Sequence, residues 1–558
     1  MRAQFRQRCP FSRVAATIAF VAQMALMTGC NLSLEADNHD TPDVSATLAT
    51  PSGILAISAT LYQTIWNTSN GTVVPQNSSP VYWSLMSMAF ENFPIAGPTP
   101  SIRGAMPRIA ISNARSNPGA RETFRDYSGL SKNSRTASNV VTALAALATT
   151  GQTLGSAGIN ERTRAFAFFA NGVSLGNLAL VYDSAAIVTP SVPSDVVPPL
   201  RGAFQVMTAA LASLDSAADI AASAQAETGF PLPSTWINGR ALTAVEFGRM
   251  VRSYRARFRA GVARTPAQRA AVDWASVIAD VNEGIQTDLN VLLDPTANWG
   301  NSWLPLQFQF TTQHQMTPMI IGMADTSGAY RNWLSLPLAN RTAFLIKTPD
   351  KRFPAGETRA AQNANSPTPP VAPQYFRNRN VASDQTGQAW GSTQYDHYRW
   401  QPLNAAGNRG DFPLITLAEM EMLAAEGYLQ QGQIAPAALL IDKYRARAGL
   451  PRLVGVIADM TTPVPGGNAC VPQVPTRQGN ATACGTIFEA MKWEKRMEIA
   501  YTGWASWYFD SRAWGDLPEG TALEYPVPFQ ELDARRKPLY DLGGIGGKSA
   551  AAKGTYGY

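Results

Sequence analysis

Histidine is almost missing from this 558-residue chain, which holds three, His39, His314 and His397, far apart in sequence. That scatter argues against a metal centre built on imidazoles. No EF-hand spacing, no glycine-rich phosphate loop between a strand and a helix, and no serine nucleophile elbow is present. The residues therefore suggest no cofactor, no metal and no catalytic group. Charge is sparse too, at 15%. The formal net charge of +6 falls to +2 once Arg2, Arg6, Arg8 and Arg13 of the leader are set aside, so nothing calls for a nucleic-acid partner. Beyond the leader no run of about 20 apolar residues offers a membrane span.

Cysteines are few, four in all, and they sort by place. Cys9 lies in the leader. Cys470 and Cys484 sit in a Pro- and Gly-rich stretch without a Cys-x-x-Cys or a neighbouring histidine, and read as a structural disulfide. Cys30 ends the run Leu26-Met27-Thr28-Gly29-Cys30, behind the basic n-region and the short apolar stretch Val14 to Met27. This resembles a bacterial lipobox, with Met27 where Leu, Ala or Val is usual. The resemblance implies a leader over 1–29, lipid on Cys30, and a solvated tether over 30–49 holding the protein to a membrane. Asn31 after the cysteine, rather than Asp, favours the outer membrane.

Gly and Pro are plentiful, 43 and 39, which points to long irregular connections. Residues 50–288 nevertheless read as helices. Expected helices run over Ser52 to Trp66, Pro80 to Phe93, 161–183 and Asp215 to Ala226. Thr265-Pro266-x-Gln268 reads as a capping box opening one helix that carries Trp274, Val277, Ile278, Val281 and Ile285. Over 289–410 periodicity fades and aromatics gather, as expected of a loop-rich functional insert. Residues 411–452 return to a helix pair broken at Gly432, with Ala425, Tyr428, Ala437 and Ile441 at tetratricopeptide spacing. A C-terminal region, 453–558, carries the disulfide loop and a helix near 486–501.

The run Leu414 to Tyr428, followed by Ile441 to Pro451, resembles a signature of the SusD/RagB family. So do Glu494-Lys495-Arg496-Met497-Glu498, Tyr501-Thr502-Gly503, Trp507 to Leu517, and Tyr525-Pro526-Val527-Pro528. Thr502 stands where the family has Glu, and Trp504 near its usual Arg; both positions read as structural. The resemblance implies a mostly α, tetratricopeptide-like helical-repeat fold with an irregular insert. It also implies a surface-exposed outer-membrane lipoprotein that binds nutrients without catalysis. Oligosaccharide capture for a SusC-like TonB-dependent transporter is the leading expectation, a peptide ligand the alternative, and a glycan-processing enzyme the remote one. Charges such as Glu426, Arg445, Arg447, Glu494, Arg496, Asp510 and Arg512 read as pairs formed where helices meet. The rival reading makes Glu494 and Asp510 an acid/base pair.

Sugars stack on aromatic planes and are read by amide, carboxylate and guanidinium groups. Trp299, Trp303, Tyr330 and Trp333, with Phe93 from the early chain, are the expected ligand contacts. Asn301, Asp325, Arg331, Asn332, Tyr395, Asp396, Tyr398 and Arg399 supply the polar partners.

Overall fold

Several helices start where a side-chain cap and an apolar period coincide. The computed structural model describes residues 44–71, 80–92, 102–117, 119–304, 316–379, 381, 393–476, 478, 480–502 and 504–558. Cys30, the tether up to residue 43, and Phe93 lie outside these described residues. The chain divides into residues 1–47, of which 44–47 are described, as helix, and residues 48–558. All that follows concerns the second unit.

Helix α1 (Pro51–Ser69) begins at Thr50, whose side chain accepts from Gly53 N, and buries Ile54, Leu61, Tyr62, Ile65 and Trp66 on one face. Helix α2 (Val81–Met88) is shorter than expected, because the chain turns through Phe90 at φ 60°. Helices α3 (Ala120–Thr149), α4 (Ala157–Val181), α5 (Ala203–Ser223) and α6 (Ala244–Gly261) then pack in sequence. Central α4 is apolar and buried over nearly its whole length. Asn171 ties it to its neighbours: its amide donates to Ser134 O and Val188 O, and accepts from Ser213 Oγ at 2.8 Å. At Gly176 an added Cβ would lie 2.1 Å from the Phe258 ring, so glycine sets the approach of α4 to α6.

The capping-box helix is a correction. Thr265 caps only Pro266–Ala270, and a new helix, α7 (Trp274–Asn282), starts at an Asp273 cap. Gln268 Oε1 accepts from Arg264 N rather than closing back on Thr265. A complete capping box occurs instead at Thr243 and Glu246, ahead of α6. The helix expected at Asp215 starts earlier, at Ala203.

Among the described residues, five two-stranded antiparallel pairs punctuate the helices. Strands β1 (Ala110–Ile111) and β10 (Leu542–Gly543) pair, as do β2 (Ser184–Ala186) and β3 (Leu200–Gly202). β4 (Leu289–Leu293) pairs with β7 (Gly410–Ile415), bringing both ends of the intervening segment together. β5 (Phe376–Asn378) pairs with β6 (Tyr395–His397), and β8 (Gln473–Pro475) with β9 (Thr482–Cys484). A Cys470–Cys484 disulfide closes the last hairpin, with Cα atoms 5.8 Å apart.

Helices α8 (Leu417–Gln430) and α9 (Ile434–Arg447) form the tetratricopeptide-like pair, with Gly432 left-handed between them. Ala425, Ala437 and Ile441 are fully buried in their seam. Helices α10 (Ile487–Ile499) and α11 (Ser506–Trp514) complete the fold. Most of the expected helix charges do pair, some with partners far away in sequence and others with near ones. Arg269 grips Glu426 at 2.7 and 2.6 Å and reaches Asp510 at 3.0 Å. Arg352 joins Asp350 at 2.8 Å and Glu494 at 2.9 Å. Lys492 and Arg496 share Asp516, and Lys495 holds Asp510 at 2.7 Å. Arg512 instead caps helix ends, donating to Leu180 O and Gly261 O.

Candidate functional site: an aromatic and amide-lined cleft

The C-terminal end of α1 carries Trp66 and Asn70 to a cleft also reached by Tyr82 of α2, Asn177 of α4 and Tyr254 of α6. Asn301, Phe412, Tyr501, Thr502 and Trp504 complete it. The enclosed part is about 40 Å³. That volume takes a small number of waters and excludes a sugar ring. Trp66 Nε1 donates to Gly300 O at 2.8 Å and Ser302 N to Asn70 O at 2.8 Å, so α1 fixes the Gly300–Ser302 wall. Asn301 Oδ1 accepts from Trp303 N and Leu304 N, an Asx turn that holds its place.

On the opposite wall Arg257 makes a two-pronged bond to Glu419, at 2.7 and 2.6 Å, and a third to Leu414 O. Burial would lower its pKa, and the Glu419 charge more than offsets that, so this guanidinium stays charged. Tyr62 and Tyr254 share a hydroxyl–hydroxyl bond of 2.5 Å. Burial, and then each other's company, holds the Tyr62 phenol well above its ordinary pKa. These groups are therefore spent on the protein.

Others are not. The side-chain amides of Asn70 and Asn177 make no hydrogen bond with a described residue, although Asn177 is only 6% exposed. The Trp504 indole N–H also lacks a partner among the described residues, and its ring is half-buried. Polar groups left without protein partners at a cleft are where a ligand's hydroxyls gain most.

Four of the residues expected at the ligand are core residues, none more than 3% exposed. Trp299 packs beside Tyr62 and Trp66, with centroids 6.4 and 6.2 Å away. Trp303 stacks on Tyr501 at 4.1 Å. Both thus back the cleft without presenting a free face to it. Tyr330 donates to Met319 O at 2.7 Å and clusters with Trp333 and Phe344, outside the cleft lining. Asp325 serves its own turn, accepting from Ser327 and Tyr330 amides. Tyr395 is buried on Gln362 Oε1, Asp396 pairs with Arg379, and Arg399 lies over Tyr375 and Trp400. Tyr398 is buried, with Arg377 over its ring.

Thr502 and Trp504, read as structural departures, line the cleft. Sequence reasoning also passed over Asn177, whose signal was a polar amide in the buried C-terminal half of α4, where Asn171 and Ser174 are also polar. Glu494 and Asp510 do not stand free across a cleft. Both are buried in the Arg and Lys pairs described above.

A mostly helical scaffold with a cleft lined by α1, α2, α4 and α6, strand β7 and flanking loops defines the class. No family model matches the chain, and no curated protein matches it in sequence. Solved structures do. A SusD superfamily protein from Parabacteroides distasonis ATCC 8503 superposes with a TM-score of 0.54 at 10% identity, over 87% of this chain and 97% of that one. One from Bacteroides thetaiotaomicron VPI-5482 gives 0.48 at 12% identity, over 87% and 96%. A structure with xylogluco-oligosaccharide gives 0.46 at 12% identity, over 83% of each chain. The chain has the SusD-superfamily fold.

Proposed function

We propose that this protein captures oligosaccharides at the cleft without transforming them, and passes them to a TonB-dependent outer-membrane transporter. One observation carries the reading: the cleft pairs the half-buried Trp504 ring with the unengaged amides of Asn70 and Asn177. An aromatic plane for C–H faces beside amides for hydroxyls is the chemistry a neutral sugar needs. A ring seats at the mouth, and the enclosed space holds waters that relay to Asn177. The locked state of Glu494 and Asp510 supports binding over hydrolysis, since a glycosidase needs two free carboxyls across the scissile bond. Lipid on Cys30 at the cell surface, and a SusC-like partner, belong to the same reading.

Calorimetric titration of the full chain against a panel of oligosaccharides, xylogluco-oligosaccharide among them, and of short peptides tests it. Trp504→Ala and Asn177→Ala are expected to weaken glycan affinity at least tenfold. Unchanged affinity in both removes the cleft; binding of peptides alone turns the reading to the peptide branch; released sugars make the protein an enzyme. Cys30→Ser is expected to free the protein from the membrane fraction, and to abolish its co-purification with a barrel.

A further inference from the structure

Beneath the cleft lies a carboxyl group that ligand capture leaves unused. Glu91 follows α2 and is 1% exposed. Its Oε1 accepts from Tyr501 N at 2.6 Å, while the Tyr501 hydroxyl donates to Glu91 O at 2.9 Å. Oε2 is buried and meets no donor among the described residues. Two segments from opposite ends of the chain are thus clasped at one carboxyl. Both bend there through left-handed residues, Phe90 at φ 60° and Tyr501 at φ 61°. Non-glycine residues keep that conformation only where their surroundings hold it.

Among the described residues, the groups facing Glu91 give an ionised carboxylate no counter-charge. Tyr82 of α2 and Tyr501 are phenols held neutral by burial and then by Glu91 itself. Behind the Tyr501 ring stands His397 of β6, at 4.8 Å, kept neutral by burial and then by Arg399. Asp396, beside it, adds only negative charge. Arg108 lies over Phe90, but it spends its donors on Met88 O, Arg103 O and Thr521. Burial pushes the Glu91 pKa up to about 8, and the Tyr501 amide pulls it only part of the way back.

We propose that Glu91 is a proton-dependent latch: with its proton it keeps the Tyr501 segment closed beneath the cleft, and without it that segment is released. The idea deepens the capture reading and rests on it, because Tyr501 lines the cleft and stacks on Trp303. Glu91 is a positioning residue; it acts through Tyr501.

Hydrogen–deuterium exchange of the ligand-free full chain tests the latch apart from any ligand. From pH 6.5 to pH 9, amides of residues 499–502 are expected to lose at least tenfold in protection, beyond the change in intrinsic exchange. Glu91→Gln, neutral at both values, is expected to keep its protection. Equal protection at both pH values in the native chain overturns the latch, and so does a loss that persists in Glu91→Gln. Should that variant fail to fold, Tyr501→Phe serves instead. Losing the hydroxyl bond weakens the closed form, so release is expected at lower pH, and an unmoved midpoint overturns the proposal. Failure of every glycan to bind leaves these readouts intact and removes only the capture reading. Glycan affinity that is flat over the same range removes only the latch.

Discussion

Arg269 shows how much of this protein is held by single buried cations. It is 2% exposed, its guanidinium reaches α8, α11 and the end of α6, and it lies over the Trp274 ring. Burial works against its charge, and Glu426 more than restores it. Glu426→Gln therefore leaves a desolvated cation half-answered. A loss of about 3–5 kcal/mol is expected from denaturant unfolding, part of it recovered in the double variant Arg269→Met, Glu426→Leu. Trp303→Ala belongs beside it. With a core ring stacked on Tyr501, it is expected to cost about 3–5 kcal/mol of stability, so any loss of binding must be read against unfolding. Single residues such as Glu426, Glu494 and Asp510 were legible as pairing charges in amphipathic helices. Their partners Arg269 and Arg352 were not, because nothing local marks which distant segment a charge will face. The burial of the aromatic residues was illegible for a related reason: composition reports how many rings exist, while burial depends on what packs over them.

Helices declared themselves where an apolar stripe was continuous, as in α1 and α8, and the structure adds the caps that open them, Thr50 and Thr416. Helix α3, 30 residues long, did not. Its Ser, Thr and Asn residues blur the periodicity, and several of them, Asn133, Ser134 and Ser138 included, are buried through hydrogen bonds that only neighbouring helices supply. The single helix expected after Thr265 broke because Asp273 offers a better start than the preceding turn can override. Close approach between elements is the most testable feature at this scale. Gly176→Ala pushes a methyl group into the Phe258 ring. It is expected to lower unfolding stability by about 1–3 kcal/mol, with Phe258→Leu in the same chain recovering part of the loss.

Over the whole molecule, the repeat pair and the C-terminal signature were readable because they are local, while the cleft was not, because it is assembled from seven separate stretches of chain. Stability as a function of pH should carry the mark of that assembly. Glu91 holds its proton more tightly folded than unfolded, its pKa moving from the ordinary 4.5 to about 8. The folded state then binds more protons between those values, so stability falls as pH rises through that window. Thermal unfolding is expected at a lower temperature at pH 9 than at pH 6.5, with the slope reduced in Glu91→Gln. The pairing of β1 with β10 carries a further consequence. Ala110 meets Gly543, and Tyr556 is fully buried against Arg496 and Glu489. A ribosome delivers the first partner long before the last. Helices α3 to α6 can assemble as they emerge, whereas the pairing of β1 with β10 must wait until Leu542 and Gly543 are made. Every nascent chain thus passes through a stage that is largely helical and still unclosed, and a chain cut before Leu542 would stay there.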